Sequence, residues 1–170
     1  DVGCGVGAWL REFKNQKIEV VKGYDGHYVN KNFLVIDKEE FEEINLEKVG
    51  KETVSRRFDL CVSLEVAEHI SKAQAVNFIE FLTSLSPTVL FSAAIPGQGG
   101  VNHINEQWPK YWINIFKDKG YTCLDVIRPE IWENDKVILC YRNNAMIFTR
   151  DKHLINQCAS LPTFHGNNLV

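Results

Sequence analysis

Seven residues at the start of the chain have the types and spacing of a ligand-binding turn: Asp1-Val2-Gly3-Cys4-Gly5-Val6-Gly7. Glycine at every second position lets the backbone turn sharply and approach a ligand that side chains would hold off. The run Ala8-Trp9-Leu10 then opens a helix whose first amides and partial positive charge face the same place. Dinucleotide-binding turns show Gly-x-Gly-x-x-Gly behind an apolar strand. Here an acid leads the glycines and their spacing is tighter. A carboxylate at that point repels a pyrophosphate and suits a ligand bearing an amine and a sulfonium.

A second group with chemical potential is Glu65-Val66-Ala67-Glu68-His69. On a helical first turn, positions i, i+3 and i+4 share one face, so Glu65, Glu68 and His69 converge. The plainer alternative, preferred at this level, is an acidic helix start that stabilises its own dipole and lines a pocket. Asp25 is the third such residue. It falls roughly 20 residues after the glycine turn, at a strand tip where an acid accepts from two ribose hydroxyls. Its alternative is an ordinary turn aspartate before Gly26.

Positioning these residues requires strands alternating with helices. Ala8 to Lys17 has Trp9, Leu10 and Phe13 at helical spacing. Ile18 to Tyr24 reads as a strand and Tyr28 to Ile36 leaves a short helix open. Phe41 to Leu46 reads as a short strand, and Phe58 to Leu64, nearly all apolar behind Arg56-Arg57, as a strand buried on both faces. Ser71 with Gln74 has the pattern of a capping box, before a stripe of Val76, Ile79, Leu82 and Leu85 that Pro87 closes. Val89 to Ile95 is another buried strand. A glycine-rich loop from Pro96 to Gln107 holds His103, Asn105 and Glu106, ahead of a helix with Trp108, Trp112, Ile115 and Phe116 on one face and Gly120 at its cap. Tyr121 to Ile127 reads as a strand, and Val137 to Tyr141 and Ala145 to Phe148 are apolar runs. This order predicts an α/β fold with a mainly parallel sheet over residues 1–150, then a tail over 151–170 that includes Pro162 and Gly166. Ligands of such folds sit at the C-terminal strand ends, where Asp25, Asn45, Glu65 and the Pro96 loop would gather.

Composition narrows the function classes. With 170 residues the chain makes one sizeable domain, and 45% hydrophobic with 24% charged residues is ordinary for a globular protein. A net charge of -3 provides no field that gathers nucleic acid. Cys4, Cys61, Cys123, Cys140 and Cys158 form no Cys-x-x-Cys pair and read as buried thiols of a reducing compartment. No apolar run approaches the roughly 18 residues of a membrane span, so cytoplasm is the expected location. The chain opens at the glycine turn without a starting methionine or a leading apolar strand. It reads as a fragment whose first strand is largely missing.

Together, Asp1-Val-Gly-Cys-Gly-Val-Gly7, Gly23-Tyr-Asp-Gly26, Phe58-Asp-Leu-Cys-Val-Ser-Leu-Glu-Val-Ala-Glu-His-Ile70 and Ile95-Pro-Gly-Gln-Gly-Gly100 resemble the class I S-adenosylmethionine (SAM) methyltransferases. His103-Ile-Asn-Glu-Gln-Trp-Pro-Lys-Tyr-Trp112 is similar to the substrate-side loop and helix of a bacterial subgroup acting on small molecules or sugars. The resemblance implies a Rossmann-like seven-stranded sheet with its last strand antiparallel. It implies that the glycine turn, with Asp1, Gly3, Gly5 and Gly7, holds SAM together with Asp25. Leu64 and the residues after it would face the methionine part. The adenine ring would meet Asn45-Leu46, where the family usually has Asp-Leu; an amide can still accept from an exocyclic amine. Methyl transfer, expected at oxygen, needs a base, and His103 and His69 are the candidates, each with a hydrogen-bonded structural role as the alternative. Glu-x-x-Glu-His also resembles methyltransferases of ubiquinone biosynthesis and of small-RNA ends, where these residues bind a divalent metal. Glu65, Glu68, His69 and His103 would then hold Mg²⁺ or Mn²⁺. Two other functions stay open: a methyltransferase-like domain that serves a partner without catalysis, and a nicotinamide-dependent oxidoreductase.

Overall fold

The computed structural model describes residues 1–50 and 56–161. The last part of the expected tail, with Pro162 and Gly166, lies outside the described residues. After the glycine turn comes α1 (Ala8–Asn15). It stops short of the expected Lys17 because that residue takes φ 69° while Ile18 N–H bonds back to Phe13 O at 3.0 Å, closing the helix end.

Among the described residues six strands follow in chain order: β1 (Gly23–Asp25), β2 (Phe41–Glu43), β3 (Cys61–Leu64), β4 (Thr88–Ser92), β5 (Thr122–Leu124) and β6 (Met146–Thr149). β1 pairs with β2 and β3 with β4, both parallel, while β6 lies antiparallel between β4 and β5. Val2 joins the two parts. It forms a parallel bridge with Tyr24, and its N–H donates to Val62 O at 2.8 Å. The lateral order is therefore β2-β1-Val2-β3-β4-β6-β5. The expected mostly parallel sheet with an antiparallel last strand is present, with a single residue in the central place where a seventh strand was expected.

That place explains why the expected strand Ile18 to Tyr24 contracts to Gly23–Asp25. Beside residues 18–22 lies a cavity of about 350 Å³ walled by Leu10, Phe13, Tyr24, Phe58, Val62 and Leu85 instead of a neighbouring backbone. Without ladder partners on that side the segment stays irregular, and Ile18 and Val20 are exposed.

Among the described residues five more α-helices follow: α2 (Ala75–Leu85), α3 (Pro109–Asp118), α4 (Ile127–Ile131), α5 (Leu139–Asn144) and α6 (Lys152–Cys158). The α2 stripe is rotated from expectation. Val76 is exposed, and Phe78 and Phe81 are buried beside Ile79, Leu82 and Leu85. Nor does Ser71 form a capping box with Gln74, because its N–H and hydroxyl both bond the Glu47 carboxylate. Trp108 stands exposed before α3, whereas Trp112 and Phe116 are buried. Phe91 of β4 meets both of them and also Phe148 of β6, which stacks on Phe116 with centroids 3.9 Å apart. Each such pair adds about 1 kcal/mol to the stabilisation from burial.

The expected strand Tyr121 to Ile127 ends at Leu124, since buried Asp125 pairs with buried Arg128 and the chain turns into α4. The apolar run around Val137 to Tyr141 contributes α5. Within the expected tail, residues 152–158 form α6, capped by Asp151 accepting from His153 N–H. All five cysteines are free thiols; Cys4, Cys61 and Cys158 are buried, Cys123 and Cys140 half-buried. Among the described residues no helix is long and apolar enough to cross a membrane.

Candidate active site

The C-terminal ends of β1 and β3 frame a second cavity, about 340 Å³, lined by Gly3, Asp25, Tyr28, Asn45, Leu46, Val66 and neighbours. It lies at the opposite strand ends from the first cavity, and Asp25, Tyr28, Asn45 and His69 line it together. The glycine turn reaches it directly. Gly3, Gly5 and Gly7 all have positive φ, and Gly5 N–H donates to Asp25 Oδ2 at 2.6 Å. Two residues predicted from the spacing to share a ligand are thus in contact. Gly7 caps α1.

Asp25 is buried at the tip of β1. Its Oδ1 accepts from Gly26 N–H at 2.6 Å and from the Tyr28 hydroxyl at 2.5 Å. On the opposite wall, Asn45 Oδ1 accepts from Glu47 N–H at 3.0 Å and caps the turn 46–48, which leaves the Asn45 amide nitrogen for a ligand. Leu46 is buried beside it. Asp1 lines the cavity at the opposite strand ends instead, and among the described residues its buried Oδ2 has no hydrogen-bond partner. Leu64 ends β3 next to the site, and the lining continues with Glu65, Val66 and His69.

Glu65 and Glu68 do not share a helical face. Glu65 takes φ 54°, and the short helical turn over 67–69 begins after it, so Glu65 lies outside that turn. Glu65 turns toward the later part of the chain, where its Oε2 accepts from Gln98 at 2.6 Å and its Oε1 from Asn144 at 3.2 Å. Asn144 also donates to Gln98 Oε1 at 2.9 Å, so loop 96–107, β3 and α5 meet in one polar knot. Asn144 was not foreseen. The polar triplet Arg142-Asn143-Asn144 between two apolar runs was the available signal. α5 also sends Tyr141 to the Trp9 ring at 5.8 Å, above the glycine turn.

Glu68, His69 and His103 do come together. Their donor atoms all lie within 4.8 Å of one another. Glu68 is fully buried, and among the described residues neither carboxylate oxygen has a hydrogen-bond partner. Burial pushes its carboxyl up to about 7; the backbone amides of Glu68 and Ala94 and the His103 ring pull partly back, and Glu65 adds to the rise. Those amides face the carboxylate without closing a well-formed bond. His103 Nδ1 lies 2.9 Å from Glu106 Oε1, and Glu106 also takes Gly97 N–H at 2.8 Å and Gly99 N–H at 2.9 Å. His69 stands edge-on to His103, centroids 4.9 Å apart, with Nδ1 3.2 Å from Asn102 O. Glu106 thus ties the Pro96 loop to itself, while Gln98 on Glu65 and the Ile104 and Asn105 amides on Glu68 O, each at 3.0 Å, hold the loop on the site.

No protein-family model matches the sequence, and no curated protein does. Solved structures do match in fold. An O-methyltransferase family protein from Burkholderia thailandensis superposes with TM-score 0.60 at 11% identity over 87% of this chain and 48% of its own. Magnesium protoporphyrin IX methyltransferase (ChlM) from Synechocystis PCC 6803, with bound S-adenosylhomocysteine (SAH), gives TM-score 0.55 at 17% identity over 87% of this chain and 70% of its own. The small RNA methyltransferase HEN1 gives TM-score 0.60 at 17% identity over 88% of this chain and 23% of its own. The chain spans less than half the length of the first and the third. It has the Rossmann-like fold of the class I SAM-dependent methyltransferases.

Proposed function

We propose that the chain binds SAM and transfers its methyl group to an oxygen of a small-molecule or sugar acceptor. The observation that supports this best is the 2.6 Å contact between the Gly5 amide and the Asp25 carboxylate, at the mouth of the polar cavity. It joins a turn that admits close approach to an acid suited to ribose hydroxyls. When bound, SAM supplies an electrophilic methyl on a sulfonium whose charge disappears during transfer.

The chain's own residues would do the rest. Asp25 accepts from the ribose, and Asn45 and Leu46 flank the adenine. The Glu65–Gln98–Asn144 knot holds the loop over the reacting end, which orients the partners and excludes water. His103, beside His69 at the cavity wall, would take the acceptor's proton. A proton on its Nδ1 is held by Glu106, which leaves the Nε2 lone pair free to accept.

A second reading is favoured by the unpartnered oxygens of Glu68. That carboxylate with His69 and His103 forms a donor set suited to Mn²⁺ or Mg²⁺, with Glu65 outside it. These three would hold the cation, which would supply polarisation of an acceptor oxygen. Titration calorimetry with SAM, SAH and NAD tests the main proposal. SAM and SAH should bind comparably, Gly5→Val should abolish both, and Asp25→Ala should weaken them by about 1.5–3 kcal/mol. Binding without turnover on any acceptor would leave a non-catalytic SAM-binding domain. Heat with NAD and none with SAM or SAH overturns the proposal.

A further inference from the structure

A carboxylate offers about four acceptor positions, two on each oxygen. Three of those on Asp25 are filled: Gly5 N–H on Oδ2, Gly26 N–H and the Tyr28 hydroxyl on Oδ1. A ribose presenting two hydroxyls needs two places and finds one. The two amides cannot leave without unwinding the glycine turn and the tip of β1. The Tyr28 side chain can, since the residue is 73% exposed and is tied to the site through that hydroxyl. Its ring packs against Gly26, where a Cβ would stand 2.3 Å from Cε1, so the glycine there lets the phenol reach back to Asp25. Tyr28 also lines the cavity itself.

We infer that Tyr28 is a displaceable latch on the cofactor site: its hydroxyl occupies the place of one ribose hydroxyl on Asp25 and must swing out before the nucleoside can seat. The inference rests on the SAM reading above. Breaking the Tyr28–Asp25 bond sets affinity against a closed, self-satisfied state, and ligand binds only the open fraction. Burial and the adjoining Asp25 carboxylate both push the Tyr28 hydroxyl above its ordinary pKa, so it stays protonated as a donor.

The test is calorimetry with SAH on the wild-type chain, Tyr28→Phe and Asp25→Asn. Removing the hydroxyl should tighten SAH binding roughly three- to tenfold, the open-state gain expected from one hydrogen bond. With an SAH analogue lacking one ribose hydroxyl, the free place on Oδ2 suffices and the gain should shrink below twofold. Equal or weaker SAH binding by Tyr28→Phe overturns the latch and makes Tyr28 a ligand contact or a bystander. A gain that is the same for both ligands also overturns it. Absence of SAH binding by both the wild-type chain and Tyr28→Phe overturns the SAM reading instead. Asp25→Asn should weaken SAH binding in either case where the SAM reading holds.

Discussion

Glu68 Oε1 lies 3.9 Å from His103 Nε2, with the Glu68 side chain buried and both of its oxygens without a hydrogen-bond partner among the described residues. A carboxyl in such a place favours its neutral form, and burial moves it to about 7. Its folded value is above its unfolded one, so the folded state holds the extra proton. The stabilisation is fully present below about 4.5 and is lost as pH rises through about 7.

In chelator-treated protein we therefore expect Glu68→Gln to flatten the pH dependence of stability. Between pH 5 and pH 8 the wild-type chain should lose about 3 kcal/mol relative to the variant, the equivalent of the shift. Urea melts at the two pH values measure it. A difference that does not change with pH would mean that Glu68 ionises as an exposed carboxyl does.

Gly5 separates fold from binding. Its φ is 54°, yet no atom comes within 4 Å of the Cβ position. Gly5→Ala should cost roughly 1–2 kcal/mol of stability, the penalty of a left-handed backbone, without a packing clash. The added methyl would point into space open for ligand, so SAH affinity should fall at least tenfold while the chain stays folded by circular dichroism. Unchanged affinity would place the ligand away from the turn.

The part of this site legible in the sequence is the part built from short-range geometry. Gly5 and Asp25 are 20 residues apart, and a single turn–helix–strand unit joins them. The Glu65-to-His69 reading failed for Glu65 because it assumed helical spacing where the backbone at Glu65 is left-handed. Asn144 binds Glu65 across 79 residues, through a helix that the apolar periodicity did not define. Strand lengths were overestimated for a related reason. Apolar β-branched runs show which residues favour a ladder, while among the described residues Ile18 and Val20 lie in no strand pair.

Glu106 is the fastener of the Pro96 loop, since its carboxylate takes Gly97 N–H, Gly99 N–H and the His103 ring together. Its pKa is lowered, with the His103 hydrogen bond as the first cause. Glu106→Ala should release both amides, and hydrogen exchange at Gly97 and Gly99 should quicken roughly tenfold or more. In the wild-type chain, protection of this loop should rise when SAH and an acceptor are present. Protection that is equal with and without ligand would make the loop a fixed connection.

His103 distinguishes a base from a metal ligand. If Glu68, His69 and His103 hold a cation, Mn²⁺ added to chelated protein binds the folded state alone and raises its melting temperature. A free concentration near 100 times Kd corresponds to about 2.7 kcal/mol. The gain should be larger at pH 8 than at pH 5.5, because the cation needs ionised Glu68 and neutral imidazoles. His103→Ala should erase that gain and leave SAH affinity within twofold, and chelator should stop turnover in the wild-type chain. If His103 acts as a base without a cation, Mn²⁺ leaves the melting temperature unchanged and chelator is harmless. His103→Ala then lowers kcat at neutral pH, and the deficit narrows as rising pH ionises the acceptor unaided. Melting curves with and without Mn²⁺, set beside a kcat–pH profile of His103→Ala, separate the two roles even before the acceptor's identity is refined.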